Sequence, residues 1–289
     1  MPADPHSARA LVRGLLLLAL ALPFGGLAAA AEEVVRSFPA SDSTVLEIRN
    51  LSGRVEMRSW NQRQVKVVAR RQTRAVETHF EETANQIHVH THLLQSAAPA
   101  SERVVDYQIW APADINVKLH QDVGTVRIEN FADDVNVETV AAQVELRNLT
   151  GHTSVQTLNG SVEVWRGAGR LDATSISGSL RFLDMDTRNL VARTTSGDIY
   201  FEGDFRPGGS YEFVNHQGAI ELRVPSTASF ELNANSVKGD VASEFPFTPR
   251  SHGRVPRASV ARSLLGTVHA GEAMVRVTSF SGTIRLRKL

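Results

Sequence analysis

Residues 159–164 read NGSVEV, and close variants of this phrase return three more times before Val224. They are SGSLRF at 177–182, SGDIYF at 196–201 and QGAIEL at 217–222. Each copy joins a small polar residue and a glycine to a run in which apolar and polar residues alternate. The glycines, Gly160, Gly178, Gly197 and Gly218, are separated by 18, 19 and 21 residues. A fixed period of about twenty residues is typical of stacked repeats.

A second alternating run lies in each interval between these glycines. Alternation with a period of two predicts a strand with one buried face. Each repeat therefore reads strand, turn, strand, turn. The sequence predicts an all-β, two-layered β-solenoid or β-roll, with 18–21 residues per rung. The inward residues of the second run are Leu171 and Ala173, Leu190 and Ala192, Tyr211 and Phe213, and Phe230 and Leu232.

The phrase also occurs outside this stretch, and we interpret its glycines as structural turn residues. Glycine adopts a positive φ without steric cost, whereas a β-carbon would strain such a corner. At one expected turn, Ala142 or Gln143 stands in place of glycine. The predicted turn glycines are Gly53, Gly124, Gly160, Gly178, Gly197, Gly218, Gly239 and Gly282.

Residues 1–31 have the pattern of a signal peptide. Arg9 and Arg13 give a positive start, residues 11–22 are almost wholly apolar, and four alanines at 28–31 offer a cleavage site. The run is shorter than the about 20 apolar residues that span a bilayer. We therefore expect an exported protein of the periplasm or cell surface, beginning near Glu32, that is not an integral membrane protein after cleavage.

Residues 32–289 are expected to form a single β-solenoid domain. We divide it into irregular N-terminal strands at 32–120, regular rungs at 121–245, a basic proline-containing insertion at 246–266 and a closing rung at 267–289. Charged residues alternate along the closing rung. This pattern suits an end rung, because charges discourage pairing with another chain.

Composition removes several classes of function. The chain has no cysteine, which excludes disulfides and thiol chemistry. Its 31 basic and 31 acidic residues balance, which argues against a nucleic-acid partner. No dinucleotide, phosphate-loop or zinc-protease motif is present, so no cofactor is predicted.

The arrangement of the phrases resembles a known family. NLSGRV at 50–55 is followed by the proline-ended strand YQIWAP at 107–112, by successive glycine-led rungs and by the closing copy SGTIRLR at 281–287. This set resembles the bacterial "putative adhesin" domain family of exported β-repeat proteins, over 45–286. The resemblance implies the fold and a binding role at the cell envelope, and it implies no catalytic or ligand residues.

His88, His90 and His92 alternate along one predicted strand. Alternate residues share a face, so the three imidazoles would line up, and such sets bind zinc or copper when further ligands are supplied. His79, Glu81 or Glu82 on a neighbouring strand are candidates for those ligands. The alternative is a solvated strand face, with Ile87, Val89 and Thr91 turned inward.

Two further groups invite functional hypotheses. Acidic pairs recur in consecutive rungs and would serve a polysaccharide-acting β-helix enzyme, unless they are exposed turn residues. A basic segment would hold anionic polymers through arginine, unless it is a solvated loop. The acidic residues are Asp184, Asp186, Glu202 and Asp204, and the basic residues are Arg250, Arg254, Arg257 and Arg262.

We expect a non-enzymatic, adhesin-like or scaffolding protein of the bacterial cell envelope, without catalytic residues. It would bind through the outer faces of the solenoid. Its partner would be an envelope component, a cell-surface polymer or a protein. The alternatives are a periplasmic accessory of an envelope-stress or regulatory system that binds a protein partner, and the polysaccharide lyase or hydrolase named above.

Overall fold

A computed structural model describes residues 32–248 and 262–289, and the strands within these residues form a single sheet. One short 3-10 turn lies at Ala100–Glu102. The strands in chain order are β1 Glu32–Pro39, β2 Val45–Trp60, β3 Gln64–Arg71, β4 Val76–Thr83, β5 Gln86–Leu93, β6 Val105–Pro112, β7 Asn116–Glu129, β8 Val135–Arg147, β9 Thr153–Asn159, β10 Val162–Trp165, β11 Arg170–Ser177, β12 Leu180–Met185, β13 Asn189–Ser196, β14 Ile199–Gly203, β15 Ser210–Gln217, β16 Ile220–Val224, β17 Phe230–Ser236, β18 Val241–Ser243, β19 Ser263–Val268, β20 Ala273–Ser279 and β21 Ile284–Lys288.

The sheet winds as a β-solenoid, which confirms the predicted fold class. Each rung has a first and a second segment, and each segment pairs in parallel with its counterpart in the next rung. Thus β9, β11, β13 and β15 stack in one layer, while β10, β12, β14 and β16 stack in the other. In β2, β7 and β8 the two segments form one continuous strand.

The core lies between the two layers and consists of alternate strand residues. The predicted inward pairs are buried, and Phe182, Ile199 and Phe201 close the core from the opposite layer. Each fully buried side chain of this size contributes about 1.5–3 kcal/mol through removal of apolar surface from water. Because the same two positions are buried in successive rungs, one continuous hydrophobic cluster runs through the molecule.

The first and second segments meet at a corner that we call the glycine corner, formed by the predicted turn glycines. A β-carbon on Gly178 would lie 2.0 Å from the carbonyl oxygen of Gly160, and one on Gly197 would lie 2.1 Å from that of Gly178. The expectation of positive φ holds for Gly53, Gly124 and Gly218 only. At the other predicted turn glycines, glycine is required because the backbones of neighbouring rungs stack closely. Gly53 and Gly124 lie within continuous strands rather than at breaks between strands.

The opposite corner joins one rung to the next, and we call it the left-handed corner. Its turning residues are not glycine: Asn130, Asn148, Arg166 and Asp184 have φ values of 65°, 53°, 54° and 54°. Asn148 Nδ2 donates a hydrogen bond of 2.7 Å to Asn130 Oδ1 in the neighbouring rung. The chain then turns an apolar residue inward, as it does at Phe131, Leu149 and Met185.

The C-terminal strands do not close the stack, so the expectation of an end rung at 267–289 was wrong. β20 lies between β15 and β17, and β21 lies between β16 and β18. Arg287 Nε lies 3.7 Å from Glu221 Oε1 of the adjacent rung, so this outward charge helps rung pairing. The outer edge of β17 is covered by the antiparallel strand β19.

The N-terminal strands are more regular than expected, since β2 is a complete rung that pairs with β7 along its length. The remaining strands extend the two layers beyond β2. The β4–β5 hairpin continues the first layer, and β6, β3 and β1 continue the second. Antiparallel pairing is thus confined, among the described strands, to the two ends of the solenoid.

Two sequence predictions fall wholly or partly outside the described residues. The signal peptide at 1–31 lies outside them, as do residues 249–261 of the basic insertion. The described chain resumes as strand β19, so Ser263–Val268 begins within the range assigned to that insertion. Within the described residues, no helix has the length and apolar character needed to cross a membrane.

Candidate functional site

The histidine strand β5 lies with its three imidazoles on the outer surface. Ile87, Val89 and Thr91 are buried, while His88 and His90 are half-buried and His92 is exposed. This is the orientation that the alternation predicted. The rings follow one another at centroid distances of 5.6 Å for His88 and His90, and 6.2 Å for His90 and His92.

The acidic neighbour of these histidines comes from β2, which sequence reasoning did not propose. In the parallel pairing of β2 and β5, Glu47 lies opposite His88, and Arg49 lies opposite His90. His88 Nδ1 is 3.4 Å from Glu47 Oε2. Of the residues that the structure describes, only Glu47, His88 and His90 bring three candidate metal-ligating atoms within 4.8 Å of one another.

The residues proposed to complete the site lie on β4, and none of them belongs to the group of Glu47, His88 and His90. Glu81 is opposite His88 in register, Glu82 is opposite Ile87, and His79 is opposite His90. The His79 ring meets the His92 ring edge-on, at a centroid distance of 5.8 Å. His92 thus neighbours His79 and His90, and it is not one of the three residues whose ligating atoms converge.

The surroundings of His90 disfavour its charged form. Partial burial lowers the pKa of His90, and the positive charge of Arg49 and the neighbouring His88 and His92 lower it further. Glu47 opposes this shift without reversing it. These neighbours therefore favour the neutral form of the His90 ring.

The acidic residues of the predicted enzyme site do not form a comparable group. Asp184 is an exposed residue of the left-handed corner, and Asp186 forms an ion pair with Arg206 at 2.5 Å. Glu202 accepts a 2.5 Å hydrogen bond from the Tyr200 hydroxyl. Asp186 and Glu202 are thus engaged by separate partners, and among the described residues none of the four acids, Asp204 included, belongs to a cluster of metal-ligating groups.

The basic segment is represented in the described chain by Arg262 alone. Its side chain is exposed, and its carbonyl accepts a 2.8 Å hydrogen bond from the backbone of Ser236. Arg250, Arg254 and Arg257 lie outside the described residues. The idea of an anionic-polymer site on this segment stays a prediction.

The outer face of the second layer consists of charges that pair between rungs. Arg127 Nη2 lies 2.7 Å from Glu145 Oε2, and Arg147 contacts the other oxygen of that carboxylate. Burial alone would raise the pKa of Glu145, but the hydrogen bonds from Arg127 and Arg147 outweigh it and hold the pKa below its usual value. This face is therefore largely satisfied by its own partners.

Sequence reasoning missed an exposed apolar row beside the glycine corner, although the signal is present in the repeat. The position two residues before the glycine holds an apolar or aromatic residue in most rungs. Register pairs place these residues side by side, at the spacing of about 4.8 Å between adjacent strands. We call this row the apolar edge; it comprises Val140, Leu158, Ile176, His216, Phe280 and Val237, with Thr195 between Ile176 and His216.

Side chains of the apolar edge are unusually exposed for their type. Ile176 and Val237 are 50% and 49% exposed. The His216 and Phe280 rings stack with centroids 4.5 Å apart and planes 3° from parallel. Together with Thr195, these residues line a shallow depression of about 470 Å³. An exposed row made largely of apolar and aromatic side chains is typical of an interaction surface.

Comparison with known proteins decides the family. The profile of the family described as Toastrack DUF4097 matches residues 31–287, which is nearly the whole of the described chain. The chain belongs to the Toastrack DUF4097 family. The comparison with curated proteins gave no match.

Two crystal structures share features with this Toastrack chain. A "putative adhesin" from Bacteroides fragilis has 13% sequence identity and a TM-score of 0.50, covering 89% of this chain and 97% of its own. A "putative cell adhesion protein" from Clostridium sporogenes has 10% identity and a TM-score of 0.28, covering 90% of this chain and 100% of its own. At this level of identity, the first of these supports the fold alone.

The Toastrack rungs also contain a buried polar column, three residues before each corner glycine. Asn215 Nδ2 donates to the Gly218 carbonyl at 2.9 Å, and Ser236 Oγ donates to the Gly282 carbonyl at 2.9 Å. By contrast, the hydroxyl of Ser175 has no hydrogen-bond partner within the described chain. This column fixes the turn backbone from inside, while the apolar edge faces solvent one residue later.

Proposed function

We propose that this Toastrack chain is an exported, non-enzymatic binding protein of the bacterial cell envelope, with an adhesin-like or scaffolding role. The observation that carries the proposal is the apolar edge. Apolar side chains that are half-exposed in successive rungs lose free energy by remaining in water. A partner laid along the edge would bury them together.

The rest of the outer surface supports this location for binding. On the second layer, ion pairs such as Arg127–Glu145 and Arg181–Glu163 satisfy the charges between rungs. Exposed ion pairs of this kind add little binding energy, because they must be desolvated before a partner can replace them. On this proposal, affinity comes mainly from burial of the apolar edge, and it grows with the number of rungs in contact.

Two further observations agree with an envelope role. The charged start, apolar run and alanines of 1–31 are typical of an export signal. The Bacteroides fragilis protein of similar fold is described as a "putative adhesin". The polysaccharide-enzyme alternative has less support, because Asp186 and Glu202 each have their own partner in separate contacts.

A binding assay with matched variants tests the role of the edge. Labelled full-length protein is mixed with isolated bacterial envelopes and sedimented. We expect Ile176→Asp with Val237→Asp to lower the bound fraction by about tenfold, because two charges would have to be buried. Thr125→Asp with Gln143→Asp adds the same charge to the exposed second layer and should leave binding unchanged. Equal binding by both double variants would remove the apolar edge from the proposal.

A second experiment tests export independently of binding. Protease is added to intact cells and to lysed cells, and the protein is followed by antibody. Digestion on intact cells indicates a surface adhesin, and protection until lysis by osmotic shock indicates a periplasmic scaffold or accessory protein. Release only with the cytoplasmic fraction would contradict export.

A further inference from the structure

The outward face where β5 joins β2 presents two imidazoles and one carboxylate in adjacent positions. Parallel register places Glu47 directly opposite His88, and His90 follows two residues later on the same face. Both strands are anchored by buried neighbours, Ile48 on β2 and Val89 on β5. The three side chains therefore leave a rigid sheet at fixed positions, and only their own torsions remain to be set.

The spacing of the donor atoms fits a small metal ion. Zinc binds imidazole nitrogen and carboxylate oxygen at about 2.0–2.2 Å, so two ligands of a tetrahedral site lie about 3.4 Å apart. His88 Nδ1 and Glu47 Oε2 are separated by 3.4 Å. A ring nitrogen of His90 lies within 4.8 Å of one ligand atom of His88 and one of Glu47.

The two imidazoles of the group differ in their hydrogen-bond partners. Gln86 Oε1 lies 3.2 Å from His88 Nε2. Because an amide oxygen only accepts, His88 Nε2 donates this hydrogen bond, and the other ring nitrogen, Nδ1, faces Glu47. His90 Nε2 is buried and has no hydrogen-bond partner among the described residues. A buried polar atom without a partner is costly, and a bound cation would satisfy this nitrogen.

We infer that Glu47, His88 and His90 bind a divalent transition-metal ion of the zinc type, through Oε2 of the carboxylate and one nitrogen of each ring. Imidazole with carboxylate is a donor set that zinc, copper and nickel accept, whereas calcium and magnesium prefer oxygen ligands. Three protein ligands leave a fourth position of a tetrahedral site for water or for a group of a partner.

Arg49 is placed to orient the carboxylate. Its Nε and Nη2 atoms each lie 2.8 Å from Glu47 Oε1, which leaves Oε2 free to face His88. Such outer contacts fix the direction of a metal ligand. The Arg49 side chain is 65% exposed, so solvent screens its charge.

Calorimetric titration of the full chain with zinc chloride tests the inference. The protein is produced without a histidine tag, and circular dichroism melts of each apo variant check the fold. We expect one zinc ion per chain, with affinity lowered about tenfold or more in Glu47→Gln and in His90→Ala. Magnesium at the same concentration should give no heat of binding.

His92→Ala is the matched control, since it removes the same side chain from the same strand. It should keep the affinity of the unmodified protein. Absence of saturable zinc binding would overturn the inference and leave a simple His88–Glu47 ion pair. A loss in His92→Ala equal to that in His90→Ala, or full affinity in Glu47→Gln, would overturn it in favour of another ligand set.

Discussion

The two corners of the solenoid reverse the chain by opposite means. At the glycine corner, the rung beneath leaves no space for a β-carbon, as the 2.0 Å approach at Gly178 shows. At the left-handed corner, Arg166 and Asp184 carry exposed side chains, and the strain lies in their own φ of 54°. One corner is constrained by contact between rungs and the other by the conformation of a single residue.

The two corners therefore differ in how far the effect of a substitution spreads through the solenoid. A substitution at the glycine corner must displace the neighbouring backbone and, through it, the rest of the stack. A substitution at the left-handed corner changes only the torsional cost of that turn. Ala142 is an exception to the exclusion of β-carbons at the glycine corner. It lies opposite Gly124 inside the continuous strand β8, and its methyl group is buried.

Gly178→Val should have the largest effect. Its β-carbon would meet the Gly160 carbonyl oxygen, so we expect the free energy of unfolding to fall by about 3 kcal/mol or more. Urea denaturation measures the change. Ser177→Val, at the exposed neighbouring position, should change stability by about 0.5 kcal/mol or less. Equal stabilities would mean that the rungs separate easily at this corner.

Asn215→Ala tests the polar column beneath the same corner. Losing the donor leaves the Gly218 carbonyl without its side-chain partner, and we expect a loss of about 1–3 kcal/mol. Ser175→Ala removes a hydroxyl that has no partner among the described residues, so it should be neutral or slightly stabilising. A large loss in Ser175→Ala, again by urea denaturation, would show that this hydroxyl is hydrogen-bonded in solution.

Arg166→Gly should act in the opposite direction. Glycine relieves a left-handed strain of about 1–2 kcal/mol, while the more flexible unfolded chain offsets about 0.5–1 kcal/mol. We expect a net gain of about 0.5–1 kcal/mol, seen as a higher Tm. Thr174→Gly, in the middle of strand β11, has no such strain to relieve and should lower Tm. The comparison fails if both variants shift Tm in the same direction.

The smallest expected effect is the pH dependence of stability that Tyr211 causes, because it is seen only in alkaline solution. Burial raises the pKa of Tyr211 to about 12, against a smaller opposing contribution from the Arg206 backbone N–H. The Tyr211 hydroxyl donates to the Thr187 carbonyl at 2.5 Å, near the left-handed corner. Since the folded pKa lies above the unfolded value of 10, this contribution to stability is complete below pH 10 and is lost as pH rises toward 12.

Urea denaturation between pH 8 and pH 12 checks this expectation against Tyr211→Phe. The difference in unfolding free energy between the two proteins should stay constant up to about pH 10 and then shrink. A constant difference up to pH 12 would show that the phenol ionises as readily in the folded protein as in the unfolded chain.

Much of the fold could be predicted, because its determinants are local. Alternation assigns Phe182 and Ile199 to the core, and the recurring glycine marks where segments meet. The order of the last rungs could not be predicted. The runs at β17 and β20 carry the same inward pattern, so periodicity alone does not decide which one lies against β15.

The candidate sites divide in the same way. Alternation predicted that His88 and His90 share an outward face, since that depends on one strand. Glu47 could not be chosen, because its position depends on the pairing of β2 with a strand distant in sequence. The apolar edge could have been predicted from the apolar residue that recurs two positions before the glycine, as at Leu158 and Ile176. The alternating pattern, in contrast, indicates the buried positions.

The interleaved C-terminal rung has a consequence for biosynthesis. Strands β20 and β21 are translated after β17 and β18, yet they occupy the place between those strands and β15 and β16. A chain that has emerged only as far as Ser243 lacks the partners that β15 and β16 have in the folded protein, and the edges of these two strands are unpaired. Such edges recruit matching strands, including those of a second nascent copy. Correct folding therefore requires that β20 and β21 pair with β15 and β16 before strands of a second copy do so.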